Sequence, residues 1–99
     1  MATNTDLTLM EETKLKYPNK YKVLILNDDY TSMEFVINIL IKIFHKSYEE
    51  AQNIMLEVHE KEKGVCGVYT HEIAETKIMQ VHKNARDSGF PLRAEMEEE

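Results

Sequence analysis

The stretch Val23–Val36, VLILNDDYTSMEFV, decides the fold, because an aliphatic run stops at an acidic loop and a helix-forming segment follows at once. The run Val23–Leu26 is short and rich in β-formers, which is typical of a buried strand. The next segment, Thr31-Ser32-Met33-Glu34, has the T-x-x-E form of a capping box, so Thr31 is predicted to be the N-cap of a helix. The chain should therefore pass from a strand through a polar loop into a helix N-terminus.

Oxygen acceptors crowd this predicted loop. Asn27, Asp28 and Asp29 follow the strand directly, and the apolar side chains of Met33 and Val36 come soon after them. Taken alone, the three polar residues most often form a turn, because their side chains bond readily to nearby backbone groups. Beside an apolar helix face they would also suit a ligand with one cationic end and one apolar end.

The rest of the chain alternates in the same way between short strands and amphipathic helices. Apolar residues at helical spacing predict further helices after a second capping box, Ser47–Glu50, and after the cap Thr70. Gly89 followed by Pro91 should end the last helix. The predicted elements are strand Tyr21–Leu26, helix Thr31–His45, helix Ser47–Glu60, strand Val65–Tyr69, a helix from Thr70 to Gly89 and a half-exposed strand from Leu92.

The order β-α-α-β-α-β predicts a small single-domain α+β sandwich, in which three helices cover a three-stranded antiparallel sheet. A length of 99 residues with 42% hydrophobic content fits one domain with a small core. Residues 1–19 lack sustained periodicity and carry many Thr, Glu and Lys, so they are predicted to be a flexible N-terminal extension. The core domain is expected at residues 20–99.

Charge and cysteine content argue against several classes of protein. The net charge is −6, and the 12 Lys and Arg are scattered singly, which opposes a nucleic-acid partner. The single Cys66 cannot form an internal disulfide, and the N-terminus MATNTDLTLM lacks the basic flank and apolar core of a signal peptide. The longest apolar stretch, Phe35–Phe44, is too short to span a bilayer. A cytoplasmic monomer without a membrane partner is expected.

Catalytic and metal-binding patterns are incomplete. His59-Glu60 begins like a zinc protease motif, but Lys63 stands where the second histidine of that motif is needed. The other histidines have no close-spaced partner, and one cysteine cannot build a thiolate site. Neighbouring carboxylates such as Asp28 and Asp29 more often decorate a turn than catalyse. We therefore expect no enzyme, no metal and no cofactor.

Four motifs in order carry a family resemblance. They are NDDYTSMEFV at 27–36, VH at 58–59, VCGVYTHEIAETK at 65–77 and PL at 91–92. Together they resemble ClpS, the bacterial adaptors that hand proteins with destabilising N-terminal residues to a Clp protease. The resemblance covers roughly residues 20–97. Two positions depart from the pattern, because the family commonly has proline at Ser32 and glycine at Glu62.

The resemblance implies a site for an N-terminal Leu, Phe, Tyr or Trp. It places Asn27, Asp28 and His59 around the substrate α-amine, which is largely an ammonium with three donors at neutral pH and so needs acceptors. It implies that the hydrophobic pocket is lined or gated by Thr31, Met33, Val36, Met55, Val58 and Leu92.

The resemblance also implies a partner surface. Glu72 and Lys77 match the family's contact with the N-terminal domain of a Clp ATPase of the ClpA or ClpC type, and the extension matches the segment that the protease engages during delivery. Judged without the resemblance, Met33 and Met55 would be core filler and the two charges would be ordinary surface groups. The alternative functions are an interaction module like the ribosomal stalk domain, without an amino-acid pocket, and, more distantly, a small hydrolase.

Overall fold

The computed structural model of the protein describes residues 19–99, so the predicted extension 1–19 lies outside the described residues except for Asn19. The element order β-α-α-β-α-β and the predicted fold class are confirmed. The elements are β1 (Tyr21–Leu26), α1 (Met33–Lys42), α2 (Tyr48–Lys61), β2 (Lys63–Tyr69), α3 (His71–Ser88) and β3 (Arg93–Glu98).

The sheet has β1 at its centre, paired antiparallel with β2 on one side and with β3 on the other. A central strand of aliphatic residues suits this position, and Val23 and Ile25 are fully buried. A β-bulge interrupts the pairing with β2, because Val23 lies opposite Gly67 while Leu24 lies opposite Val65. The bulge leaves Cys66 without a partner on β1.

The helices pack apolar faces onto this sheet, as their helical spacing predicts. One buried cluster joins both kinds of element, and Leu40 on α1 and Val81 on α3 are among its fully buried members. Cys66 belongs to the same cluster, and burial raises the pKa of its thiol to about 12. The cluster comprises Val23, Ile25, Val36, Ile39, Leu40, Ile43, Phe44, Ala51, Met55, Val58, Cys66, Ala74, Val81, Ala85, Leu92 and Ala94.

The predicted start of α1 is wrong by one residue. Ser32, not Thr31, is the N-cap, and its hydroxyl oxygen accepts a 3.1 Å hydrogen bond from the backbone N–H of Phe35. Thr31 instead donates its hydroxyl hydrogen to Asp28, at 2.8 Å, so it is part of the loop. Both residues can cap a helix, and the loop contact of Thr31 decides between them. The helix also ends at Lys42, before the predicted His45, which has a positive φ of 56°.

The other predicted helix signals agree with the structure. Ser47 and Glu50 form a reciprocal capping box at the start of α2, with hydrogen bonds of 2.9 and 3.0 Å. Thr70 caps α3, and Gly89 ends it in the left-handed conformation, with backbone bonds back into the last turn. Element type and order are thus set by local signals.

The turn after α2 carries backbone strain at Glu62. This residue has a φ of 72° and a ψ of −12°, a left-handed conformation that glycine adopts without a Cβ penalty. Its carboxylate also lies at a helix C-terminus, where a negative charge is unfavourable. Glu62, one of the two positions that depart from the pattern the sequence resembles, is therefore a position at which glycine is physically preferred.

We expect Glu62→Gly to raise the free energy of unfolding by about 0.5–1 kcal/mol, because relief of the left-handed strain outweighs the added freedom of the unfolded chain. Urea denaturation followed by circular dichroism measures this difference. Glu60→Gly is the matched control: Glu60 is exposed within α2, so the same substitution should lower stability by about 1 kcal/mol. Equal losses in the two variants would contradict the strain at Glu62.

Candidate functional site

The end of β1 brings three segments of the chain together. Leu26 pairs with Lys63 on β2 and with Arg93 on β3. The next residue, Asn27, therefore lies between Glu62 and Leu92, and its backbone N–H donates a 2.8 Å hydrogen bond to the Glu62 carbonyl. Because β1 stops here, the Asn27 side chain lies where the central strand leaves the sheet.

Asp28 organises the loop that follows. Its Oδ1 accepts hydrogen bonds from the backbone N–H groups of Tyr30, at 2.8 Å, and Thr31, at 2.7 Å. Partial burial acts to raise the pKa of Asp28, but the hydrogen bonds from Thr31 and Tyr30 outweigh it and hold that pKa below its ordinary value. At pH values above the ordinary carboxyl range, these hydrogen bonds therefore stabilise the loop. The stabilisation is lost only as the pH falls through the lowered pKa of Asp28.

His59 lies at the same end of the molecule. It is exposed on the last turn of α2, three residues before Glu62. Since the Glu62 carbonyl accepts from Asn27, the hydrogen bond fixes this last turn against the end of β1. The structure therefore brings the segments of the three predicted amine-binding residues to one edge, with Asp28 already bonded to its own loop.

Most of the predicted pocket residues are buried side by side. Val36, Met55, Val58 and Leu92 belong to the single apolar cluster and are 3%, 8%, 1% and 4% exposed. Gly64 on β2 makes room for one of them, because a Cβ there would lie 2.8 Å from Val58 Cγ2. The lack of a side chain lets β2 approach α2 and so sets the position of Val58.

Met33 differs from these residues because it is 59% exposed. It and Met55 line a groove of about 280 Å³ between α1 and α2. Met55 thus belongs both to the buried cluster and to the groove wall. The exposure of Met33 argues against core filler. The groove is completed by Ile37, Gln52, Asn53 and Leu56.

Sequence reasoning did not assign four of these groove residues to the site: Ile37, Gln52, Asn53 and Leu56. A usable signal exists, because Met33 and Ile37 on α1, and Gln52 and Leu56 on α2, are each four residues apart and so share a helix face. Asn53 and Gln52 are polar, however, and look like solvent-facing residues until the partner helix is placed beside them.

The two residues predicted to contact a partner have different surroundings. Glu72 is exposed in the first turn of α3. Lys77 is half-buried, and its Nζ donates a 2.6 Å hydrogen bond to the carbonyl of Ile43, the C-cap of α1. The same amine lies 5.9 Å from the ring centroid of Phe44 and 5.6 Å from that of Tyr69. Lys77 therefore closes the end of α1 from within the fold.

Within residues 19–99 there is no cluster of His, Cys, Asp and Glu that could hold a metal ion. None of the helices in that range is long and apolar enough to cross a membrane.

Comparisons with known proteins agree on one family. The model of the family described as ATP-dependent Clp protease adaptor protein ClpS matches residues 16–95. The ClpS adapter protein of Oleidesulfovibrio alaskensis is 57% identical over 98 residues, which are 99% of this chain and 94% of the relative. That of Wolinella succinogenes is 50% identical over 97 residues, or 98% and 95%. The structure of Agrobacterium tumefaciens ClpS2 bound to L-phenylalaninamide matches with a TM-score of 0.80 and 38% identity, covering 83% of this chain and 99% of that one.

The fold and the comparisons together define a small α+β domain of the protease-adaptor class. The chain belongs to the ClpS family of ATP-dependent Clp protease adaptor proteins. The alternative of a stalk-like interaction module without an amino-acid pocket is not favoured, because the relatives are named as Clp protease adapters. The term protease adapter denotes a protein that assists a protease and is consistent with a non-catalytic role.

Proposed function

We propose that this protein is a non-enzymatic cytoplasmic adaptor that binds the free α-amine and bulky side chain of an N-terminal Leu, Phe, Tyr or Trp. It then delivers proteins with these N-termini to a Clp ATPase and its peptidase. The observation that carries the proposal is the position of Asn27, with Asp28 beside it, at the strand end between Glu62 and the buried Leu92. Hydrogen-bond acceptors and apolar surface meet there. L-phenylalaninamide, the ligand of the structural relative, has an α-amine to match the acceptors and an aromatic side chain to match the apolar surface.

The amine end of the ligand is assigned to Asn27, Asp28 and His59. An ammonium has three donors, and an amide oxygen, a carboxylate and a neutral imidazole can each accept one. Asp28 Oδ1 already accepts two backbone hydrogen bonds, whereas Oδ2 accepts one, from the Thr31 hydroxyl, and so keeps an acceptor direction for the ammonium. Its lowered pKa keeps it charged when the ammonium arrives.

The side-chain end is assigned to the apolar cluster. A ligand side chain that enters beside Met33 meets Met55, which lies at the boundary between groove and cluster. Val36, Val58 and Leu92 would form the deeper surface, and Thr31 its edge on the loop side. Burial of a Leu or Phe side chain contributes about 1.5–3 kcal/mol. Neither end of the ligand should therefore suffice alone.

The direct test is a binding titration with peptides that differ only at residue one, followed by fluorescence anisotropy. We expect peptides that begin with Leu, Phe, Tyr or Trp to bind and peptides that begin with Ala, Ser or Lys to bind weakly. Equal affinity across the series would refute an amino-acid pocket and leave only a protein interaction surface.

Met33 should set the shape of the pocket entrance. Its thioether lies where a ligand Cβ would pass, and branched Val and Ile need more room there than Leu or Phe. We expect Met33→Ala to raise affinity for peptides that begin with Ile or Val by up to about fourfold, since an accommodated methylene contributes about 0.8 kcal/mol. Affinity for Phe should fall slightly.

Met55→Ala is the matched control for this substitution. Met55 lines the same groove but is 8% exposed, so its truncation should lower the free energy of unfolding by about 2–5 kcal/mol. Met33→Ala should change stability by less than about 1 kcal/mol. If Met33→Ala greatly lowers the melting temperature and leaves the ligand preference unchanged, Met33 does not set the shape of the pocket entrance.

The proposed partner surface for the Clp ATPase, of the ClpA or ClpC type, lies at the start of α3. Glu72 and Lys77 are both assigned to it, but the amine of Lys77 is bonded within the fold, so reversal of its charge would damage the domain. We expect Glu72→Lys alone to slow Clp-dependent degradation of a Phe-starting substrate roughly tenfold, as like charges oppose docking, with peptide affinity unchanged. The proposed monomer delivers its substrate through the extension 1–19.

Asp87→Lys is the control for Glu72→Lys. Asp87 is exposed at the other end of α3, where its ion pair with Lys83 is also exposed. The change in net charge is the same in both variants. Equal slowing of degradation by both would mean that net charge, and not the start of α3, governs docking.

A further inference from the structure

His82 on α3 makes a contact that is independent of the residues assigned to the ligand. Its Nε2 lies 3.0 Å from the backbone nitrogen of Ala94 on β3 and accepts that N–H. A ring nitrogen can accept only when it carries no proton, so the imidazole is neutral with its hydrogen on Nδ1. This side chain therefore joins α3 to β3 in one protonation state.

The contact matters because β3 is an edge strand. It pairs with β1 on one side only, and the Ala94 N–H is directed to His82 rather than into that pairing. An unpaired backbone donor at this half-buried position would cost free energy. His82 thus supplies the partner that a further strand would otherwise give.

Leu92 lies two residues before Ala94, and both side chains belong to the buried cluster. Leu92 directly precedes Arg93, which pairs with Leu26 at the end of β1, and it is part of the proposed ligand pocket. The chain enters β3 through Phe90 and Pro91, which together with His82 line a cavity of about 270 Å³. The backbone N–H of Phe90 donates a 2.8 Å hydrogen bond to the Ala85 carbonyl, so Phe90 is fixed to α3, and beyond it the His82 bond ties Ala94 to the same helix next to the cavity.

The charged groups that line the two cavities beside His82 are Arg86 and Lys83 on α3 and Arg93 on β3, all of them positive. The nearby carboxylate of Asp87 is paired with Lys83 at 3.0 Å. Burial, followed by the charges of Arg93 and Arg86, lowers the pKa of His82. A protonated ring would present a donor to the Ala94 N–H, and within residues 19–99 neither cavity that it borders has a carboxylate in its lining.

We propose that neutral His82 is a positioning residue that holds the start of β3, and through it Leu92, in the shape that the ligand pocket requires. This inference rests on the proposed function. Protonation breaks the bond to Ala94, loosens the segment Pro91–Ala94 beside the cavity and weakens ligand binding without any contact between His82 and the ligand. Binding is therefore sensitive to acid through a residue that does not touch the ligand.

The structural half is tested by NMR without any ligand. The Ala94 amide and the Leu92 methyl signals should shift with the same midpoint as the His82 ring signals when the pH is lowered from about 7.5; because the pKa of His82 is lowered, the titration is followed below the ordinary histidine range until the ring is protonated. His82→Gln keeps an acceptor oxygen but cannot titrate, so these signals should not shift in it. Ala94 and Leu92 signals that ignore the His82 titration would overturn the proposal.

The functional half compares three proteins in titrations with a Phe-starting peptide. Near neutral pH, His82→Gln should bind within about twofold of wild type, whereas His82→Leu, which cannot accept, should bind roughly three- to tenfold more weakly. On acidification the wild type should move from the affinity of the Gln variant to that of the Leu variant. The ratio between the two variants should stay constant, because His59 is the same in both.

A wild type that keeps a constant affinity ratio to His82→Gln across this range would overturn the proposal. Thermal unfolding curves show whether each variant is folded at the temperature of the binding titrations. If no protein in the set binds the peptide at any pH, the proposed function has failed, and the ligand-free signals of Ala94 and Leu92 still decide whether His82 positions β3.

Discussion

A peptide that begins with Phe should lose nearly all its affinity when its α-amine is acetylated, although the ring remains intact. Acetylation removes the positive charge and two of the three donors that Asn27, Asp28 and His59 are proposed to bind. Hydrogen bonds to charged groups contribute about 1.5–3 kcal/mol each, so a loss of about 100-fold or more is expected. Fluorescence anisotropy with a labelled C-terminus measures both affinities.

The matched control places the acetyl group on the ε-amine of a lysine several residues further along the same peptide. It removes the same charge, but from a part of the ligand that the pocket does not contact, so affinity should be preserved. If the α-acetylated peptide binds as well as the free one, the polar residues at the end of β1 form only a turn.

We expect Asp28→Ala to lower the affinity for the same peptide by roughly 30-fold or more. The variant loses one charged acceptor and the loop contacts that the Asp28 carboxylate organises. This carboxylate bonds the backbone N–H groups of Tyr30 and Thr31 and the Thr31 hydroxyl, so the variant loses both a ligand contact and the loop shape. Isothermal titration of the Phe-starting peptide gives the difference.

Asp29→Ala serves as the control, since Asp29 is the exposed neighbour in the same loop. Asp29 has the same charge as Asp28, so Asp29→Ala changes the local electrostatic field in the same way. The affinity for the peptide should fall by less than about threefold. Equal losses at the two positions would mean that loop charge in general, rather than the bonded carboxylate of Asp28, attracts the ammonium.

The architecture could be predicted because its signals are local. Capping boxes, a terminal glycine and the spacing of apolar residues each specify an element within a few residues, as at Ser47 and Gly89. The cap of α1 could not be assigned, because Thr31 and Ser32 are chemically equivalent there. The choice depends on where the Asp28 carboxylate lies, which is a contact across the loop.

The site was predictable in part for the same reason. Asn27 and Asp28 end a recognisable strand, so their place at its edge follows from the sequence. Lys77 is different, because nothing nearby in the chain indicates that its amine reaches the Ile43 carbonyl, 34 residues away in sequence. The contact of His82 could not be predicted from the sequence either, since its partner is a backbone N–H and not a side chain. Such contacts exist only once the elements are packed.

The burial of Cys66 at the bulge has a practical consequence for experiments on delivery. The thiolate is the nucleophile that attacks a thiol reagent, and a fully buried thiol with a pKa of about 12 forms almost none. Since Cys66 is the sole cysteine of the chain, a cysteine introduced at an exposed position such as Glu75 would be the only one to react with a maleimide dye. Single-site labelling for energy-transfer measurements can therefore start from the natural sequence.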